Sequence, residues 1–128
     1  MRQTLQKMKK LLALVIVICA FASVSFAQQQ FTQITTIESV VGGGIGRSKM
    51  IISHPDGAQE ERDLENLFSL AGINFKNIKS NENQIMNTLK SFTSKGWKLV
   101  STTPLTLSPG NNGAGIFMTR YLLTKDGE

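Results

Sequence analysis

Cysteine is nearly missing from this chain: among 128 residues there is one, Cys19, and it lies inside an apolar run. Histidine is equally scarce, with His54 alone. If the first 27 residues are removed on export, no thiol remains. Thiol catalysis, thiolate metal sites and disulfide stapling are then excluded together. One histidine without cysteine leaves zinc only carboxylates as co-ligands, an unusual set. Residues 28–128 contain no Asn-x-Ser/Thr sequon and no internal repeat or low-complexity linker. They read as one small domain that must hold itself together by its core.

A long hydrophobic run is also missing. The longest, Leu11 to Val24, has 14 residues, whereas a spanning helix needs roughly 20. It follows Arg2, Lys7, Lys9 and Lys10 and precedes Ser25-Phe26-Ala27. A basic start, a short apolar stretch and small residues at the end make a secretory signal peptide. Cleavage is expected after Ala27, giving a chain that starts at Gln28. An uncleaved anchor is the alternative. Lipoprotein processing at Cys19 is disfavoured by Ile18, where a small residue belongs.

A strongly basic mature chain is the next absence. The whole sequence carries 14 Lys and Arg against 9 Asp and Glu, net +5. Four of the cations and none of the acids lie in residues 1–27, so residues 28–128 carry net +1. The basic field required for nucleic-acid binding leaves with the leader. The location expected is extracytoplasmic and bacterial, periplasmic or secreted, with no membrane contact after cleavage.

What is present has strand and helix patterning. Phe31 to Val41 is rich in Thr, Ile and Val and predicts a strand. Ser48 to Ser53 predicts a second, joined to the first through Gly42 to Gly46 as a hairpin. His54-Pro55-Asp56-Gly57 is turn chemistry. Leu64, Leu67, Phe68 and Ala71 then recur at helical spacing behind Glu60, Glu61 and Asp63, which predicts a helix over 59–72. The alternative is an irregular excursion that tucks in Leu67 and Phe68.

Ile85, Met86, Leu89 and Phe92 form a second stripe, with Ser80 or Asn81 as its cap. Gly96 fits the left-handed stop, and a Schellman motif then brings Trp97 against Phe92. Trp97 to Thr103 and Gly115 to Thr124 predict two further strands, separated by a turn-rich loop from Pro104 to Ala114. The fold class expected is α+β in β-β-(α)-α-β-β order. About four mainly antiparallel strands carry one firm helix on one face.

The stretch from Asn83 to Lys125 combines an amphipathic helix, Gly-Trp-Lys-Leu-Val at 96–100 and Thr-Arg-Tyr-Leu-Leu-Thr-Lys at 119–125. It resembles a group of small bacterial domains of unknown function, in which a helix runs into Gly-Trp-Glu-Leu-Val and an aromatic/Leu strand closes the domain. Lys98 stands where the group has Glu more often. The resemblance covers about the last third of the chain and implies a small α+β fold. It carries no activity.

The candidate chemistry is thin. His54 as a base needs a nucleophile and an orienting acid, and Asp56 is too near in sequence to serve. Asp56, Glu60, Glu61, Asp63 and Glu65 lack the spacing of a calcium loop. Gly42 to Gly46 precedes Arg47-Ser48-Lys49 and a strand, not the Lys-Ser/Thr and helix of a phosphate loop. Trp97 and Tyr121 offer a stacking surface or, more commonly, core. Lys90, Lys95 and Lys98 offer a small basic patch or a solvated helix end.

No catalytic, cofactor-binding or metal-binding residue is therefore assigned, and no cofactor is expected. The function expected is a non-enzymatic exported module that binds a protein or envelope partner, with exposed edge strands as one route. The alternative is a small hydrolase or ligand-binding protein whose site forms only in three dimensions.

Overall fold

Two hairpins and a helix organise the domain. The computed structural model describes residues 3, 6–8, 28–41, 47–107 and 115–127. The expected leader falls outside this set except for Gln3, Gln6, Lys7 and Met8, which are helical. Residues 42–46, expected as a hairpin link, and 108–114, part of the loop expected from Pro104 to Ala114, also lie outside it. Among the described residues no helix is long and apolar enough to cross a membrane.

Among the described residues, seven strands and one long helix follow Gln28. They are β1 (Gln30–Val40), β2 (Ser48–Ser53), β3 (Gln59–Leu64), β4 (Phe68–Ser69), β5 (Gly72–Ile73), α1 (Phe75–Thr93), β6 (Lys98–Leu107) and β7 (Gly115–Lys125). Five form an antiparallel sheet in the order β3-β2-β1-β7-β6, while β4 and β5 make a separate two-stranded ladder. The first and last strands pair along their whole length, from Gln30 opposite Lys125 to Val40 opposite Gly115.

This corrects the expected four-stranded α+β arrangement. The fold is predominantly β, and the stretch predicted as a helix over 59–72 is β3 followed by the small β4–β5 ladder. The turn before it explains why. His54 O accepts from Gly57 N at 3.0 Å, Gly57 has φ +86°, and His54 N donates to Ala58 O at 2.8 Å. A Pro-Asp-Gly turn of this kind closes a hairpin and returns the chain as a strand. The acids that read as a helix start belong to that strand. Lys49 lies opposite Asp63 in the register and forms ion pairs with both Glu61 and Asp63. Such cross-strand pairs add support at an edge whose charges discourage further pairing. Leu67 and Phe68 are half-buried.

The helix also begins earlier than the Ser80 or Asn81 cap. Asn74 is the cap, its Oδ1 accepting from Lys76 N at 3.1 Å and Asn77 N at 3.2 Å. Asn81 instead becomes a core residue, 0 % exposed. Thr88 joins the buried stripe, and Met86 lies outside it at 51 % exposure.

At the other end, Trp97 N donates to Phe92 O at 3.2 Å and Gly96 N to Thr93 O at 3.1 Å. That is the Schellman pair of bonds. The rings of Phe92 and Trp97 meet edge to face at 6.0 Å. Gly96 has φ +87°, while a Cβ there meets only Lys125 Cε at 3.6 Å. Gly96→Ala is therefore expected to cost about 1–2 kcal/mol from backbone strain alone. Lys95→Ala should stay within about 0.5 kcal/mol. Chemical denaturation of the two variants checks the difference; equal effects would remove the strain explanation.

Ile34, Met50, Ile52, Leu64, Ile85 and Leu123 form the buried cluster, with Leu89, Phe92, Trp97 and Tyr121 packed against it. The register places Thr32, Ile34 and Thr36 on the same side as Met50, Ile52, Tyr121 and Leu123. This is the side on which α1 packs.

Candidate interaction surface

Each residue the sequence offered for chemistry has a structural partner or stands alone. His54 Nε2 is 3.9 Å from Glu60 Oε2, and its ring stacks on Phe92 at 6.2 Å and 28°. Glu60 accepts from Arg62 Nε at 2.7 Å. That bond is the main cause that lowers its carboxyl from the ordinary value; desolvation opposes it, and the charges of Arg62 and His54 lower it further. Arg62 in turn donates to Thr88 Oγ1 at 3.1 Å, and Thr88 Oγ1 donates to Gln84 O at 2.8 Å. The chain Glu60–Arg62–Thr88 ties α1 to β3. His54 is thus more engaged than an exposed turn residue, but the hydroxyl in this chain is committed to a helix carbonyl.

The acids do not converge. Asp56 Oδ1 accepts from Ala58 N at 2.9 Å within the turn. Glu60 faces α1, whereas Glu61 and Asp63 face the opposite side with Lys49. Among the described residues no three His, Cys, Asp or Glu side chains come together as a metal site. Lys90, Lys95 and Lys98 are exposed, and Trp97 and Tyr121 belong to the core rather than to a stacking surface.

Tyr121 has its phenol pushed above the ordinary value of 10.0 by burial and, secondarily, by the Glu38 carboxylate. The chain has one tyrosine, so its ultraviolet titration is unambiguous. The midpoint is expected above about 10. The raised folded value adds stability that is complete below the unfolded pKa of about 10 and is lost as pH rises through the folded one. Glu38→Gln should lower the midpoint part of the way. A wild-type midpoint at or below 10 would place Tyr121 in solvent.

The surface that sequence reasoning missed is the β6–β7 arm. The helix is tied to the β1–β3 half of the sheet through Asn81, Thr88 and Phe92. On the other half, β7 contributes Leu123 to the same core, but the outer strand β6 is exposed. All ten residues of β6 are exposed. Of the twelve large exposed apolar side chains among the described residues, six lie here: Leu99, Val100, Leu105, Leu107, Ile116 and Phe117. That concentration on one ribbon is what distinguishes an interaction surface from scattered exposed apolar residues. Leu105, Leu107, Ile116, Met118 and Arg120 line a shallow depression of about 360 Å³. On the sheet face away from α1, Ile37, Ile51, Met118 and Leu122 are only half-buried.

The two sheet edges differ in kind. β3 carries Glu60, Glu61, Arg62 and Asp63 in six residues. β6 carries Lys98 at its start and no charge from Leu99 to Leu107. Two features interrupt that edge: a break in register between Leu99 and Ser101, and Pro104, which has no N–H to donate. The sequence expected Pro104 to open a loop after Thr103; β6 instead continues through it to Leu107. An edge strand tolerates proline where a central strand does not.

Compared with protein-family models, curated proteins and solved structures, the chain gives no match.

Proposed function

We propose that this chain is an exported, non-enzymatic binding or structural module that associates through its β6–β7 arm. The observation supporting this reading is the outer strand of the arm, exposed along its length and uncharged from Leu99 to Leu107, with six exposed apolar side chains on the two strands. A strand edge of this type gives affinity through main-chain hydrogen bonds and specificity through alternate side chains. Export rests on the leader pattern at residues 1–27, and the likeness to small exported bacterial domains belongs to the same proposal.

Two experiments test it. For export, intact-mass measurement on protein from the envelope fraction is expected to give a chain beginning at Gln28. A mass that includes residues 1–27 contradicts cleavage. For the arm, a photo-crosslinker replaces Thr103 or Leu107 in producing cells, and every adduct is identified by mass spectrometry. Adducts with one defined protein, either this chain or another envelope protein, are expected from both positions. None is expected from Asp56 in the opposite turn. Absence of adducts from the arm, or equal yield from position 56, contradicts the reading.

A further inference from the structure

We propose that the β4–β5 tip and the first turn of α1 form a second contact surface, which seats on an anionic lipid bilayer. This goes beyond the arm, since none of the residues belongs to β6 or β7. Leu70 is 92 % exposed, more than any other large apolar side chain described, with Phe75 at 70 % and Ile73 at 57 %. Lys76 and Lys79 are exposed beside them.

The fold imposes this exposure. β4 and β5 form a hairpin of two residue pairs, Phe68 opposite Ile73 and Ser69 opposite Gly72, so Leu70 stands at its turn. The polar atoms lie behind. Ser69 Oγ accepts from Ala71 N at 3.3 Å and donates to Gly72 O at 3.4 Å. Leu67 N donates to Ser39 O at 3.0 Å, and Asn74 N to Leu67 O at 2.9 Å. Buried Asn66 donates from Nδ2 to Val41 O at 3.0 Å and to Phe68 O at 2.9 Å, while its main-chain carbonyl accepts from Asn77 Nδ2 at 2.8 Å. A polar frame thus holds three apolar side chains out in water, the reverse of what burial favours. An apolar patch with a polar rim is the form that a protein or membrane contact takes.

Shape and charge select a bilayer over a protein. A stable protein interface takes about 800 Å² and roughly 20–30 residues from each side, and a hairpin turn led by three side chains is a point rather than a face. A bilayer has no shape to match. It takes a small apolar projection at the boundary of headgroups and acyl chains, and anionic lipid adds attraction for nearby cations. Residues 66–81 supply both terms, with Lys76 and Lys79 and no acid. The flanking acids are anchored further back. Asn81 Nδ2 donates to Glu38 Oε1 and to Glu65 O. Asn81 lies six residues along α1 from Phe75, about 9 Å at the helical rise. An interfacial apolar face sinks about 5–10 Å, so the Glu38 carboxylate stays near the water side.

Such seating requires no spanning helix, and among the described residues none is long and apolar enough to cross a membrane. The sequence pointed to no membrane contact once the leader is removed, because it offers no second apolar run. The tip is assembled instead from residues on both sides of a turn and from the helix start. Three side chains and two cations give a weak, reversible attachment that anionic lipid strengthens and salt weakens.

Vesicle flotation of the purified protein, as isolated from its producing cells, tests this. Binding is expected to vesicles of equal parts phosphatidylglycerol and phosphatidylcholine, falling as salt is raised. Binding to phosphatidylcholine alone should be roughly tenfold weaker or less. Leu70→Ser combined with Phe75→Ser should weaken binding to the anionic vesicles roughly tenfold or more. Lys76→Gln with Lys79→Gln should remove the preference for phosphatidylglycerol. Both pairs should melt close to wild type, followed by Trp97 fluorescence, because all four side chains are exposed. If the double serine variant fails to fold, Leu70→Ser alone takes its place. Met86→Ser, at an exposed apolar position further along α1, should leave binding unchanged, as should Thr103→Lys on the arm. No binding to the anionic vesicles overturns the proposal. So does binding that the serines leave intact, as an uncleaved leader would give, or an equal loss from Met86→Ser. A chain that ignores vesicles while a photo-crosslinker at Leu70 captures one envelope protein would put a protein on the tip instead. None of these outcomes touches the arm, whose adducts are read at Thr103 and Leu107.

Discussion

Trp97→Ala is expected to lower unfolding free energy by about 3 kcal/mol, the low end of the range for deleting a large core aromatic. The lower end applies because the indole is half-buried rather than sealed. Its packing is nevertheless central to the fold. The residue stands where α1 stops and β6 begins, with its N–H on Phe92 O and its ring edge to face with Phe92. Phe92 in turn stacks on His54 at the β2–β3 turn. Removing the indole therefore loosens the contact through which the helix end meets both the β2–β3 turn and the start of the arm. Circular dichroism in denaturant measures the effect, since the variant lacks the only tryptophan. A loss under about 1 kcal/mol would be that of a surface residue. It would move Trp97 from the core to the binding surface.

Asn81 is expected to be less replaceable still. It is 0 % exposed in the middle of a helix, and its amide is fully used. Oδ1 accepts from Glu65 N at 2.8 Å, while Nδ2 donates to Glu65 O at 2.8 Å and to Glu38 Oε1 at 3.0 Å. One side chain thus supplies both main-chain partners of Glu65, just after β3, and ties that connection to β1. Asn81→Ala leaves these groups unpaired, at roughly 1–3 kcal/mol for each one that water cannot reach.

Asn81→Asp should be worse at neutral pH. It keeps the acceptor but sets a buried carboxylate against Glu38 and a carbonyl. Burial and the Glu38 charge raise the folded pKa of the new acid. The variant is then closest to wild type below the unfolded value of about 3.9 and weakens as pH rises. Denaturation at pH 4 and pH 7 measures this. A penalty that does not grow with pH would mean that water reaches the site.

The elements legible in the sequence were those whose local chemistry and burial agree. β1, β2 and β7 alternate around Ile34, Ile52 and Leu123, and their expected bounds differ from the observed ones by a residue at most. The helix stop was legible because Gly96 and Trp97 satisfy a rule confined to a few residues. β3 was not. Its Gln-Glu-Glu-Arg-Asp-Leu sequence has almost no strand propensity and is held in place by Lys49 on β2 and Thr88 on α1, both remote in sequence.

Asn81 misled for a related reason. Asparagine near a helix start is usually a cap, and only the fold brings Glu65 and Glu38 to it. The arm was half legible. Both strands were expected, but not that β6 continues through Pro104, nor that it is exposed along its whole length. That follows from the strand order, in which β6 lies at the edge farthest from β3.

Amide hydrogen exchange, read by mass spectrometry on peptides covering 98–107 and 59–64, tests the assignment of the arm most directly. In dilute protein the β6 peptide is expected to exchange fast at the amides not bonded to β7. With the protein that the arm crosslinks to added, it should gain protection while the β3 peptide stays constant. Protection of β6 that is unchanged by that protein, or a gain on β3 instead, would contradict the account.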